Sequence, residues 1–221
     1  PKIAVACAGV CYFRVKVKGK SAHAGKAHQG INAIEKMNKV FDRLWRLDQK
    51  RGREVHFSLF EKNSERSCHL NVGIYRAGDW PSTVPGDAVL DCRMSFVPGE
   101  KLEAIHELVE LCTRVEDDEW LTNNPPVIEW YGWQANPWVQ DTGHLFVTQF
   151  QNCTTEVMGK EADLIGKPAG LDARFCGRFG IPAISFGVKG GNIHGSDEYI
   201  EFESLIDCAK VYAQMISKWC E

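Results

Sequence analysis

Phe13-Arg14-Val15-Lys16-Val17-Lys18-Gly19-Lys20-Ser21-Ala22-His23-Ala24-Gly25 is the stretch from which the fold is read. Phe13, Val15 and Val17 alternate with Arg14, Lys16 and Lys18, the two-residue period of a strand that buries one face. Gly19 and Gly25 then bracket a loop carrying His23, and glycines give such a loop the freedom to project. Asn32 follows as an N-cap. From it Ile34, Met37, Phe41 and Leu44 recur at helical spacing as far as the polar residues 49–52.

Outward from this strand and helix, the two-residue period returns at Val55, Phe57 and Leu59, at Leu70, Val72 and Ile74, and at Leu90, Cys92, Met94 and Phe96. A second helix starting near Glu100 sets Leu102, Ile105, Val109 and Cys112 in one stripe. An acidic run over 116–119 precedes a strand at 127–131. The resulting order, βαββαβ, is that of a two-layer ferredoxin-like domain in an α+β protein. Beyond Trp133 the character changes. Asn136-Pro137 marks a break, and 143–157 reads as a helix. Residues 181–186 are almost continuously apolar, as in a short strand covered on both faces. A last helix from Glu203 puts Leu205, Ala209, Tyr212, Ile216 and Trp219 on one side.

Composition narrows the function classes. The chain has 221 residues, 44% hydrophobic and 25% charged, enough to bury a core in one large or two small domains. No apolar run reaches the roughly 18 residues that span a bilayer, and no basic segment followed by an apolar one opens the sequence. A membrane partner is therefore not expected. A net charge of -3 makes no electrostatic case for nucleic acid. RNA-binding domains share the βαββαβ order, but their stacked-aromatic Lys/Arg-Gly-Phe-type motif and basic face are missing here. The nine cysteines are odd in number, dispersed and never in Cys-x-x-Cys spacing, which points to a reducing, cytoplasmic compartment.

A second glycine-flanked histidine lies in Gly191-Asn192-Ile193-His194-Gly195-Ser196-Asp197-Glu198-Tyr199-Ile200. Small neighbours leave an imidazole open to zinc or to a substrate oxygen, although a solvated loop histidine explains either motif taken singly. Further short motifs accompany the two: Gly30-Ile31-Asn32-Ala33-Ile34, Asn71-Val72-Gly73-Ile74, Val84-Pro85-Gly86-Asp87, Asp91-Cys92-Arg93, Gly170-Leu171-Asp172-Ala173-Arg174 and Gly180-Ile181-Pro182. Together and in this order they resemble the zinc-dependent aminoacylase, acetylornithine deacetylase and succinyl-diaminopimelate desuccinylase family.

The resemblance implies a metal-dependent amidohydrolase that cleaves an N-acyl amino acid or related small amide. Its cofactor is zinc, two ions in the complete enzyme, with cobalt or manganese as substitutes. It further implies that residues 1–10 end a first stretch of α/β catalytic domain, that 11–133 form a ferredoxin-like lid through which homodimers assemble, and that 134–221 close the catalytic domain. His194 matches the last metal ligand, and a capped loop histidine is the plainer reading. His23 matches a lid histidine that stabilises the oxyanion in a neighbouring subunit; a turn histidine capping the next helix competes. Asn71, Arg93, Arg174 and Gly170 match positions that contact substrate. A surface ion pair for Arg93, pairing with Asp172 for Arg174 and a plain turn at Gly170 are the alternatives. His28 and His69 have no counterpart and are read as surface residues. The family's remaining ligands sit in a His-x-Asp motif and a Glu-Glu pair, neither of which occurs in this sequence. The chain thus reads as the C-terminal part of a longer enzyme, inactive by itself. A non-catalytic dimerisation or binding module of ferredoxin-like fold remains the alternative function.

Overall fold

The computed structural model describes residues 1–220, which divide into two compact units. In chain order the elements begin β1 Lys2–Cys7, β2 Gly9–Lys18, β3 Ala22–His23, α1 Ala33–Glu54, α2 Ser58–Glu61 and β4 Leu70–Ala77. Next come β5 Thr83–Val84, β6 Asp87–Phe96, α3 Leu102–Thr113, α4 Glu119–Asn123 and β7 Val127–Ala135. The chain closes with β8 Trp138–Val139, α5 Leu145–Met158, β9 Asp163–Lys167, α6 Ala173–Gly177, β10 Gly190–Gly191, β11 Tyr199–Ile200 and α7 Phe202–Trp219.

The larger unit, Ala8–Phe57 with Glu65–Pro137, holds a sheet in the order β4-β6-β2-β7 with every neighbouring pair antiparallel. Counting only its own strands, that is 2-3-1-4, the ferredoxin-like βαββαβ arrangement. One face of the sheet buries Phe13, Val15, Leu90 and Met94 against Met37 and Leu44 of α1 and Ile105 and Val109 of α3. As expected, α1 starts at Asn32, whose Oδ1 accepts the Ile34 N–H at 2.9 Å.

Several local expectations give way. Ile34 and Phe41 of α1 stay exposed, and the buried stripe runs through Ala33, Met37, Val40, Leu44, Leu47 and Arg51. The helix is apolar on two sides, and spacing alone does not say which side meets the sheet. Val55, Phe57 and Leu59 form no strand: α1 continues to Glu54, and Ser58–Glu61 is the short α2, with Phe60 buried. Gly52 interrupts neither, because its missing side chain makes room for the Arg66 guanidinium, into which a Cβ would run. In β4 the register slips between Val72 and Ile74, a bulge that turns Ile74 to the face opposite Val72.

The acidic run at 116–119 is anchored through Asp118. Asp118, only 4% exposed, caps α4 by accepting the Leu121 N–H at 3.0 Å, and it receives Lys36 Nζ and Lys39 Nζ, each at 2.8 Å. Burial alone pushes this carboxyl's pKa up; the hydrogen bonds from Lys36, Lys39 and Leu121 outweigh it and hold the pKa far below the ordinary value. A depressed carboxyl contributes stability at pH values above about 3.9, its unfolded value, and that stability disappears as pH falls toward the folded value. Asp118→Asn is expected to lose about 1–3 kcal/mol at neutral pH, because Lys36 and Lys39 lose their partner but keep access to water. It should also flatten the stability profile below about pH 4. Urea titrations at stepped pH check both, and an unchanged acid limb would exclude Asp118 as its source.

The smaller unit comprises Pro1–Cys7, Ser58–Ser64 and the chain from Trp138 onward. Its sheet is ordered β8-β1-β9, with β1–β9 parallel and β1–β8 antiparallel. Ile3 and Val5 of β1 pack with Val147 and Phe150 of α5 and Val211 and Met215 of α7. The apolar stretch 181–186 is not a full strand but a single antiparallel bridge, Ala4 to Ser185. Pro182 has no donor, and the Ala183 N–H is taken by Gln140 Oε1 at 3.0 Å, so no ladder can grow there. In α7 the buried face is Ser204, Cys208, Val211 and Met215, one step round from the expected one, which leaves Leu205, Ile216 and Trp219 exposed. Among the described residues no helix is long and apolar enough to cross a membrane. All nine cysteines are free.

Candidate functional site

His23 is carried by two paired loops. β3 lies antiparallel to β5, with His23 opposite Thr83, and the Ala24 N–H reaches the Ser82 carbonyl at 2.8 Å. The loop closes tightly because Gly19 lets the Ile31 carbonyl and Ala33 N–H approach where a Cβ would collide. His23 Nδ1 accepts the Gly25 N–H at 3.0 Å, capping the 3₁₀ turn Ala24–Gln29. The capping alternative therefore describes one ring nitrogen. With Nδ1 accepting, the neutral ring carries its proton on Nε2, which has no partner among the described residues, so an exposed side chain presents a donor.

Asn71, Arg93 and Tyr12 stand directly opposite one another across β4, β6 and β2, on the sheet face away from the helices. The structure thus brings two of the expected substrate contacts together. Arg93 is half-buried and makes no ion pair or side-chain hydrogen bond among the described residues, so the competing surface pair is not formed. One row along, the situation reverses. Arg14 Nε grips Asp91 Oδ1 at 2.6 Å, Arg76 reaches Oδ2 at 3.1 Å, and Lys16 pairs with Glu129 at 2.8 Å. The hydrogen bond from Arg14 is the main reason the Asp91 carboxyl sits below its usual range. On this face Arg93 is the guanidinium without such a partner among the described residues. His69, read as a surface residue, is half-buried; burial first, then the Arg66 and Arg93 charges, hold its imidazole pKa below the ordinary value. It lies just before β4, its backbone N–H on the Ser95 hydroxyl at 3.0 Å, a long-range contact that no local pattern announces.

His194, Arg174 and Gly170 belong to the smaller unit. β10 and β11 pair as a hairpin, and the loop between them holds Asn192, His194 and Asp197 at φ of 58°, 63° and 56°. Left-handed backbone costs a non-glycine residue about 1 kcal/mol or more, and such strain gathers at functional segments. The His194 side chain is exposed, and its N–H lies 3.4 Å from Glu198 Oε2, a partner the sequence reading missed. Arg174 is 3% exposed: Nε donates to the Leu171 carbonyl at 3.0 Å, and the guanidinium contacts the Cys7 thiol. Burial lowers the Arg174 pKa against the opposing pull of Cys7 and Asp172. Gly170, half-buried, lies between β9 and α6. Among the described residues no group of three or more His, Cys, Asp or Glu side chains is arranged to hold a metal ion. His194 fits a zinc site as one accessible imidazole, short of the three protein ligands such a centre takes.

A ferredoxin-like sheet bearing a projecting histidine and an Asn–Arg pair defines a class, and the family model described as the peptidase dimerisation domain matches residues 5–129. The chain belongs to the M20 peptidase family. It is 24% identical over 215 residues to the N-formyl-4-amino-5-aminomethyl-2-methylpyrimidine deformylase of Halalkalibacterium halodurans, covering 90% of this chain and 48% of that protein. To the acetylornithine deacetylase of Vibrio cholerae it is 22% identical over 217 residues, covering 93% and 52%. The crystal structure of an M20 family metallo-carboxypeptidase from Sulfolobus solfataricus superposes with a TM-score of 0.71 at 15% identity, covering 98% of this chain and 59% of that one. The chain spans about half the length of the curated relatives it matches.

Proposed function

We propose that this chain supplies the lid and one metal ligand of a two-zinc, cytoplasmic amidohydrolase that cleaves an N-acyl amino acid or related small amide and works as a homodimer. The observation that carries the reading is the His23 ring, capped through Nδ1 and left with an outward Nε2–H. Relatives named deformylase and deacetylase support cleavage of an N-acyl bond, and nine unpaired cysteines support a reducing compartment.

Zinc, when bound, supplies a polarised carbonyl and an activated water. In this reading His194 offers its imidazole to that centre, while the other ligands and the general base come from polypeptide outside this chain. His23 donates Nε2–H to the amide oxygen as negative charge develops there. Arg93 receives a substrate carboxylate on its fork, with Asn71 beside it. Arg174, by holding the Leu171 carbonyl, fixes the shape of the Gly170–Arg174 segment that lines the pocket.

His194→Ala in the enzyme that contains this chain is expected to weaken binding of one zinc by about 100-fold or more, since a ligand is lost outright. Zinc stoichiometry after dialysis against a chelator measures it, and unchanged stoichiometry and affinity would refute the assignment. A second reading, a non-catalytic dimerisation module, is favoured by the lack of a three-residue metal cluster among the described residues. An amidase assay on the chain with and without the family's N-terminal half separates the two.

A further inference from the structure

The row that holds Asn71 and Arg93 does not end at β2. Tyr12 lies between Arg93 of β6 and Tyr131 of β7, so Asn71, Arg93, Tyr12 and Tyr131 cross all four strands on the sheet face away from the helices. Side chains directly opposite on one face start about 5 Å apart at Cβ, within common reach of one small ligand. Tyr12 is half-buried and meets Tyr131 as a tilted pair, ring centroids 6.3 Å apart. The Arg14 guanidinium, held by Asp91, lies 5.4 Å over the Tyr131 ring. The Tyr12 hydroxyl, like the Asn71 amide and the Arg93 guanidinium, has no hydrogen-bond partner among the described residues.

A bulge in β7 fixes the two tyrosines. Val10 and Tyr12 are two residues apart in β2, while their partners Ala135 and Tyr131 are four apart in β7. The extra length turns at Gly132, whose φ of 61° favours glycine, and a Cβ there would lie 3.6 Å from the Tyr12 side chain. Gln134, from the same bulge, donates from Nε2 to the Tyr12 carbonyl at 2.7 Å and to the Tyr131 carbonyl at 2.6 Å. Its Oε1 lies 3.1 Å from Nε2 of His106, whose ring stacks on Trp130 at 3.7 Å. One amide, braced from the helical layer, thus ties both tyrosine backbones. Bulges of this kind re-aim side chains beside functional sites.

We propose that Tyr12 binds substrate beside Arg93 and sets the substrate class: its hydroxyl donates to the carboxylate on Arg93, and the Tyr12–Tyr131 rings receive an apolar or aromatic amino-acid side chain. The proposal rests on the reading in which Arg93 takes a substrate carboxylate, and it adds which amino acids carry that carboxylate. A carboxylate has about four lone-pair sites and a forked guanidinium fills two, so a phenol can donate to the same group. The side chain of an amino acid branches from the carbon next to its carboxylate, which brings it against whatever flanks the seat. On the β4 side that is the polar Asn71; on the β7 side it is two rings with apolar faces. The cations of the next row, Arg14, Arg76 and Lys16, are already paired with Asp91 and Glu129. A charged side chain would give up water there without gaining a counterion.

Steady-state kinetics of the enzyme that contains this chain test the proposal, with N-formyl, N-acetyl and N-succinyl derivatives of leucine, phenylalanine, glycine, aspartate and lysine as probes. Leucine or phenylalanine derivatives are expected to show the highest kcat/KM, about 10-fold or more above glycine. Tyr12→Phe keeps the ring and should melt like the unaltered enzyme. It is expected to raise KM about 10-fold or more at unchanged kcat, because a hydrogen bond to a charged acceptor is lost. The same change should cost less on the matching primary carboxamide, which carries no charge. An unchanged KM in Tyr12→Phe beside a raised KM in Arg93→Ala would overturn the proposal and leave the Arg93 reading standing. Preference for glycine, aspartate or lysine would overturn the substrate class. An unchanged KM in Arg93→Ala, or no hydrolysis of any probe, would remove the reading beneath and this proposal with it.

Discussion

Glu100→Ala is expected to destabilise the larger unit by about 3 kcal/mol, the low end of what breaking a buried ion pair costs, because Glu100 keeps some access to water. Arg51 lies on the sheet-facing side of α1 and is almost wholly buried. Its two terminal nitrogens meet Glu100 Oε1 and Oε2 at 2.9 and 2.7 Å, and Glu100 also accepts the Val97 N–H at 3.0 Å. Burial lowers the arginine's pKa, yet the Glu100 hydrogen bonds, the Cys68 thiol and the Glu100 charge together more than offset it. Alanine at position 100 removes the one counterion this guanidinium has among the described residues, where its Nε already lacks a partner. Urea unfolding should show a lower midpoint with an unchanged slope. Arg51→Met combined with Glu100→Leu should recover most of the loss, since removing both charges strands neither. A Glu100→Ala loss below about 1 kcal/mol would mean that water solvates Arg51 after all.

His23→Ala is expected to lower kcat of the enzyme containing this chain by roughly 10²- to 10³-fold, the usual effect of deleting one oxyanion donor. KM should change little, because the bond to Nε2–H strengthens only as charge builds on the amide oxygen. Folding should suffer modestly, by about 1 kcal/mol at most, since the side chain is exposed and its structural task is one capping bond. His23→Asn separates the two duties: its side-chain oxygen can still accept the Gly25 N–H but cannot place a donor where Nε2 stood. Steady-state kinetics on all three proteins decides the matter, and wild-type turnover by His23→Ala would end the assignment.

How far the residues announced this architecture depends on whether their pattern had one physical solution. β2 could be read because Phe13 to Lys18 alternates without exception, and the start of α1 because Asn32 is a capping residue followed by a helical period. The inner faces of α1 and α7 were ambiguous: both helices are apolar on more than one side, and what lies opposite decides which side is buried. Residues 181–186 misled because their donors are missing or claimed by Gln140, a contact 43 positions away in sequence. At the site, His23, Asn71 and Arg93 lay in recognisable motifs, but the free state of the Arg93 guanidinium could only be seen once Arg14 and Arg76 were found on Asp91. Nothing local sets Asp118 apart from its acidic neighbours, because its lysine partners lie some 80 residues upstream.

Val10 of β2 lies opposite Ala135 of β7, so the chain enters and leaves the larger unit at neighbouring points of one ladder. Its one excursion, Ser58–Ser64, is also short, and the Phe57 N–H already reaches the Ser67 hydroxyl across its base at 2.8 Å. A unit whose two ends are clasped in one ladder keeps its termini together by its own hydrogen bonds, so its register does not rest on the sequences that flank it.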